Sequence, residues 1–354
     1  MTLRLRFERA AARTFLALPA SVLRRIVGQA RRSPDGLELE VQTQALLWLM
    51  RLTGERDLAD GGVTRARRRM DRTGSLLATR VDDVTTEDRT VPGAAGPRRA
   101  RLYRPRSAGG KAAPGLVWFH GGGFVIGSID STDGVCRAIA SRAGVVVMSV
   151  DYRLAPEHRF PAAVEDAVSA TRWVLEHGSS MGIDPGAVAV GGDSAGGNLS
   201  AVVAQTLVRD PRRPAFQLLI YPATDFTRSM ASHRYFQEGL VLTKRSIDFF
   251  LESYLPSASL QTDPRASCLF ATDLRGLPPA LVLTAGFDSV RDEGRAYGAK
   301  MKAAGVEVEY VCAEGSVHGF INMTGALPES ARMLELAAGR LREALAISRA
   351  RSAA

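Results

Sequence analysis

The stretch VAVGGDSAGGN, residues 188–198, decides how the rest of the chain is read. Its first half suits a buried strand and its second half opens a helix, with Gly192-Asp193-Ser194-Ala195-Gly196 at the junction. That is a G-x-S-x-G nucleophile elbow in the strand–turn–helix setting it requires. In such an elbow the serine sits in a strained turn with its hydroxyl projecting from the sheet edge. Side chains two positions to either side would collide, and the glycines at 192 and 196 remove them. The helix that follows aims its first N–H groups at the site, which favours negative charge there. A bare G-x-S-x-G is weak, because small residues co-occur often. The flanking strand and helix give this one its weight.

Outward from that junction, strand-like and helix-like segments alternate from about residue 80. RARLYRP (99–105), GLVWFH (115–120), VVVMSVDY (145–152), FQLLIYPATD (216–225), ALVLTAGFD (280–288) and VEVEYVCAEG (306–315) read as strands. TDGVCRAIASRAG (132–144), PAAVEDAVSATRWVLEHG (161–178), RDEGRAYGAKMKAAG (291–305) and ESARMLELAAGRLREALAI (329–347) read as helices. This order predicts an α/β fold, a mostly parallel central sheet with helices on both faces. Sheets of that kind place their ligands at the carboxyl ends of the strands. Two regions break the rhythm: the mostly helical residues 1–75, including EVQTQALLWLMRLTG (40–54), and residues 226–262, including KRSIDFFLESYL (244–255). Both are placed in a helical cap over the sheet's carboxyl edge, leaving 76–354 as a core that carries the second cap piece as an insertion.

A second glycine-rich segment, GLVWFHGGGFVIGS (115–128), sets His120 in front of Gly121, Gly122 and Gly123 at a strand end. Alone it reads as a tight turn. Beside a serine nucleophile it gains a purpose, because a carbonyl under attack becomes an oxyanion that needs preorganised donors. Ala195, the residue after the serine, supplies one backbone N–H, and Gly122 and Gly123 are chosen as the others. One such donor is typically worth about 3–4 kcal/mol of transition-state stabilisation. His120 is read as a pin for the loop, not as the base.

A serine hydroxyl needs a base and an orienting acid, which in this elbow follow in the order Ser, acid, His. Only His233 and His318 lie beyond Ser194. His233 falls in the cap-like insertion and is expected to face solvent; His318 follows the last strand at the carboxyl edge and is the chosen base. Asp288 ends a strand at the same edge and is the chosen acid. Asp292 and Glu293 are explained as acids at a helix N-terminus.

The bulk numbers fit a soluble globular protein, with 45% hydrophobic and 23% charged residues. The net charge of +9 lies in the N-terminal third, where residues 1–110 hold 22 basic and 12 acidic side chains. Segments such as TRARRRMDR (64–72) read as a solvated face without the aromatics of a nucleic-acid surface, so no nucleic-acid partner is expected. Peripheral membrane contact through the basic N-terminus and homodimerisation stay open. Cys136, Cys268 and Cys312 lack metal or disulfide spacing, which suits a reducing, cytoplasmic setting, and neither metal nor cofactor is expected. The apolar stretch 15–23 is short and broken by Pro19, so it reads as an amphipathic helical region.

Six pieces in order resemble the hormone-sensitive-lipase-like branch of the α/β-hydrolases, which includes the bacterial family IV esterases. They are HGGGF (120–124), DYRLAPEHRFPAAVED (151–166), GDSAGGN (192–198), YP (221–222), DSVRDEG (288–294) and VHGF (317–320). The resemblance implies the α/β-hydrolase fold, a Ser194–His318–Asp288 triad, an oxyanion hole from the HGGG loop plus Ala195, and cofactor-free hydrolysis of short to medium acyl esters. Trp48, Leu49, Phe249, Phe250 and Tyr254 are candidates for an acyl pocket, with packing inside the cap the blander role for most. Amide or N-acetyl hydrolysis is a neighbouring alternative, and a non-catalytic small-molecule binding protein on this fold is one from another class. A dinucleotide-binding enzyme is disfavoured, since the run after Gly121 is one residue too long for that fingerprint.

Overall fold

The run Leu116–Phe119 shows how the sequence builds its core. Side chains alternate along a strand, so Leu116 and Trp118 enter one buried cluster while Val117 and Phe119 enter another on the opposite face. The computed structural model describes residues 3–53, 57–74, 76–109 and 112–353. Residues 1, 2, 54–56 and 75 of the expected N-terminal cap segment lie outside the described residues.

Eight strands form one sheet: β1 (Val84–Gly93), β2 (Gly96–Pro105), β3 (Ala113–Phe119), β4 (Val146–Val150), β5 (Ile183–Asp193), β6 (Phe216–Ile220), β7 (Ala280–Phe287) and β8 (Val308–Val317). Their spatial order is β1-β2-β4-β3-β5-β6-β7-β8. All neighbours from β4 to β8 are parallel, while β1 pairs antiparallel with β2, and β2 with β4. The helices are α1 (Leu3–Leu16), α2 (Ala20–Val27), α3 (Val41–Leu52), α4 (Gly62–Thr73), α5 (Asp133–Ala143), α6 (Ala162–His177), α7 (Ala195–Thr206), α8 (Ala231–Tyr235), α9 (Lys244–Tyr254), α10 (Arg291–Ala303) and α11 (Pro328–Ala353). On one face α5 and α11 bury residues such as Ile139 and Leu341; on the other α6, α7 and α10 bury Val174, Leu199 and Met301. The parallel, doubly covered sheet is the one expected, with β1 as an unforeseen addition at its edge. No helix of the described residues is long and apolar enough to cross a membrane.

The two irregular regions meet above the carboxyl edge. Leu39 and Leu47 pack with Phe236 and Leu240 of the insertion and with Phe287 and Val317 at the ends of β7 and β8. Polar ties reinforce the contact. The Arg31 guanidinium donates to the carbonyls of Glu238 and Gly239 at 3.2 and 3.0 Å. Asp57 accepts from Thr243 and, at 2.6 Å, from Ser246 at the start of α9. Burial would raise the Asp57 carboxyl, but these two hydroxyls, together with the Ala59 amide and the charge of Arg245, outweigh it and hold the group below its ordinary value. A carboxyl depressed in the fold stabilises the fold above the ordinary carboxylate range and loses that contribution as pH falls. Arg67 roots α4 on the core, donating to the Val125 and Ala155 carbonyls and pairing with Glu157 at 2.6 Å. Glu157 is therefore scaffold.

Asp57→Ala strands the hydroxyls of Thr243 and Ser246, at a cost of about 1–2 kcal/mol. The expected result is a lower melting temperature together with faster limited proteolysis of both irregular regions. Unchanged proteolysis would deny the tie.

Candidate active site

The elbow has the predicted form. Ser194 adopts φ 56° and ψ −117°, a left-handed conformation between β5 and α7 that non-glycine residues rarely hold. Such strain costs roughly 1–3 kcal/mol and persists where the surroundings over-determine it. Here the Ser194 amide donates to the Ile220 carbonyl of β6 at 2.9 Å, and its carbonyl accepts from Asn198 in α7 at 3.0 Å. A Cβ at Gly192 would run into the Phe119 carbonyl of β3 and into Gly196 of the elbow, and one at Gly196 into the Phe119 and His120 carbonyls. The glycines thus serve a neighbouring strand as much as the turn.

Two further strand ends bring partners to the serine. Asp288 directly follows β7 and His318 directly follows β8. The His318 Nδ1 stands 2.7 Å from Asp288 Oδ2, and its Nε2 stands 2.9 Å from Ser194 Oγ. The Val290 amide holds the other Asp288 oxygen at 3.1 Å, which fixes the carboxylate's orientation. With Asp288 accepting the Nδ1 proton, Nε2 is left to accept the serine proton. Burial would lower the His318 imidazole, but the charge and hydrogen bond of Asp288 outweigh it, so its pKa is raised above 6.5. The Tyr221 ring lies 4.6 Å from the imidazole and limits its tilt.

The glycine loop lies on the other side of Ser194. The Gly121 amide donates to the buried Asp193 carboxylate at 2.9 Å, tying loop to elbow. Burial is the main influence on Asp193 and pushes its carboxyl up, against the opposing pull of the Gly121 amide, His120 and His318. Gly122 and Gly123 take φ values of 118° and 59°, and the Phe250 ring fills the space a Gly123 side chain would need. No described residue accepts from the amides of Gly122, Gly123 or Ala195. His120 is fully buried, its Nδ1 2.8 Å from the Gly121 carbonyl and its ring stacked 4.4 Å from Tyr152. The Tyr152 hydroxyl donates to the His120 carbonyl at 2.7 Å. His120 therefore sits buried in the packing of the loop, against Gly121 and Tyr152.

Ser194, His318, Gly122, Gly123 and Ala195 all line one cavity of about 1560 Å³, roofed by α1, α3, α4 and α9. Of the acyl-pocket candidates, Leu49 and Phe250 reach it. Trp48 instead stacks on Phe15 at 5.6 Å, and Tyr254 is buried on Phe124 at 3.9 Å.

Two expectations need correction. His233 does not face solvent: its side chain is 8% exposed and its Nε2 lies 2.6 Å from the Glu293 carboxylate. Glu293, expected to serve a helix terminus, is itself buried and accepts the Thr224 and Asp225 amides at 2.7 and 3.2 Å. Burial is the first influence on both groups. It lifts Glu293, and it would lower His233, whose pairing with Glu293 wins and raises it. Around this pair Ser232 donates to the Ser289 carbonyl at 2.7 Å, and the Ser232 amide donates to Asp292 at 2.9 Å. The insertion is thereby stitched to the turn carrying Asp288. Asp193 was also missed as a functional residue; its place inside the elbow motif was the available signal.

The alpha/beta hydrolase fold family model matches residues 116–322. The carboxylic ester hydrolase LipN of Mycobacterium tuberculosis is 45% identical over 298 residues, covering 82% of this chain and 78% of that protein. An ethyl acetate hydrolase of Pseudomonas putida is 36% identical over 277 residues, 75% of this chain and 85% of that protein. Among solved structures, a hyperthermophilic esterase from the archaeon Pyrobaculum calidifontis superposes with a TM-score of 0.81 at 39% identity, over 86% of this chain and 98% of that one.

Gly196→Ala forces a methyl group into the Phe119 carbonyl, where backbone on both sides prevents relief. Overpacking of this kind is expected to cost about 3 kcal/mol, measured by urea denaturation. A loss below about 1 kcal/mol would show that β3 and the elbow can part.

Proposed function

This chain belongs to the α/β-hydrolase family, in its hormone-sensitive-lipase-like branch, and we propose that it hydrolyses carboxylic esters of short to medium acyl chain through an acyl-enzyme on Ser194. The observation that carries this reading is the Ser194–His318–Asp288 relay, with spacings of 2.9 and 2.7 Å, opening into the same cavity as three unpaired backbone amides. Residues 1–75 and 226–262 act as a cap that encloses the acyl chain, with Leu49 and Phe250 among its walls. A reducing, cytoplasmic setting fits the three free thiols Cys136, Cys268 and Cys312.

The chemistry follows from the proton positions. His318 Nε2 takes the Ser194 proton as Oγ bonds to the ester carbonyl carbon, and Asp288 stabilises the imidazolium that results. The carbonyl oxygen becomes an anion beside the amides of Gly122, Gly123 and Ala195, each worth about 3–4 kcal/mol to the transition state. Collapse of this intermediate breaks the bond to the alcohol, which leaves with the proton from His318. Water then attacks the acyl-serine with His318 as base, and the second collapse returns the proton to Ser194 and releases the acid.

Hydrolysis of p-nitrophenyl acetate, butyrate, octanoate and palmitate by wild type and Ser194→Ala tests the assignment. The substitution is expected to lower turnover on the order of a millionfold, with the shorter esters preferred by the wild type. Comparable rates in the two proteins would overturn it.

A second test uses pH. His318 acts as a base only when neutral, and its pKa is raised, so kcat/KM should fall as pH drops through a midpoint above 6.5. A midpoint below that value would mean that burial dominates over Asp288.

A further inference from the structure

The cavity above Ser194, at about 1560 Å³, is larger than a short ester needs. Its walls are apolar, with Phe15 and Leu46 on one side and Ile247 and Leu251 on the other. Its rim is not. Arg65, Arg68 and Arg72 of α4 all line it, and spacings of three and four residues bring them out along one helix face.

Other arginines around this region are partnered. Arg67 holds Glu157 at 2.6 Å, Arg228 holds Asp248, and the rim acid Asp60 is taken by Arg245 at 2.8 Å. Glu8 on α1 is the rim's second carboxylate. Arg65, Arg68 and Arg72 are exposed and make no hydrogen bond or ion pair with any described residue. Like charges three and four residues apart destabilise a helix, so α4 carries this stripe against its own stability. Arg9, which also lines the cavity, is partnered too, donating to the Ala78 carbonyl at 2.7 Å. A merely solvated stripe has no reason to face the cavity that holds the nucleophile.

We propose that Arg65, Arg68 and Arg72 receive an anionic group at the far end of the substrate, which makes the enzyme selective for amphiphilic esters whose chain ends in a carboxylate or phosphate. The inference rests on the ester-hydrolase reading above. The ester bond lies at Ser194, the chain runs along the apolar walls, and its charged end meets guanidinium groups at the rim. Guanidinium suits that role, since its planar fork donates two parallel hydrogen bonds to a carboxylate or phosphate.

Two matched pairs of probes test this. The p-nitrophenyl monoester of suberic acid differs from p-nitrophenyl octanoate only at the acyl terminus, and 8-acetoxyoctanoate differs from octyl acetate in the same way on the alcohol side. The wild type is expected to favour the anionic member of at least one pair by about tenfold in kcat/KM at low salt. Screening should shrink that preference as ionic strength rises from about 0.02 to 0.5 M. R65Q/R68Q/R72Q should abolish the preference and R65K/R68K/R72K should retain most of it, with melting curves to verify folding. The salt dependence of the wild type decides the matter if the variants do not fold. Equal rates within both pairs, with Ser194-dependent hydrolysis intact, overturn the stripe's role and leave ester hydrolysis standing. Absence of any Ser194-dependent hydrolysis overturns both. A glutamine variant that keeps the substrate preference but loses binding to phosphatidylglycerol vesicles would make the stripe a membrane-facing surface, which also overturns the proposal.

Discussion

The site depends on how closely two neighbouring strand ends approach each other. β3 and β5 lie side by side, and beyond their last paired residues one becomes the glycine loop and the other the elbow. The Phe119 carbonyl fits against bare α-carbons at Gly192 and Gly196, and the Gly121 amide bonds to Asp193 at 2.9 Å. Any side chain at those glycines would push the strands apart, moving the proposed oxyanion donors away from the hydroxyl they serve. Asp193, itself buried, closes the gap from the elbow's side.

Sheet order does the rest. Along the carboxyl edge β3, β5, β6, β7 and β8 follow one another, so the glycine loop, the serine, Tyr221, the aspartate and the histidine stand in a row. Adjacent strands β7 and β8 make Asp288 and His318 neighbours without any special loop. The imidazole reaches Ser194 across the end of β6, where Tyr221, at φ 33°, turns its ring under His318. Residues 194, 288 and 318 are far apart in the chain and close in space because parallel strands all end on the same side.

Much of this was legible in the sequence because it is local. The elbow and the HGGG run carry their meaning within a dozen residues, and chain order left few choices for base and acid. β1 escaped notice because VTTEDRTVPG lacks the apolar content of a buried strand; it is an edge strand with mostly exposed side chains. His233 and Glu293 escaped for another reason. They are 60 residues apart, and neither carries a local sign that the other will cover it. The same holds for Asp193 and Gly121, separated by 72 residues. Pairing across the fold is what a linear reading lacks, and it is where burial changes a charged residue's role.

The His233–Glu293 pair has a mechanical consequence. Swinging the insertion away from the core would expose a buried imidazole and carboxylate to separation, and leaving one such charge unpartnered costs about 3–5 kcal/mol. The bonds of Ser232 to Ser289 and Asp292 would break in the same movement. That side of the roof is therefore a fixed wall, continuous with the turn that holds Asp288. Traffic to and from the serine is left to the opposite side, where α4 is anchored at Arg67 and presents Arg65, Arg68 and Arg72 to the cavity.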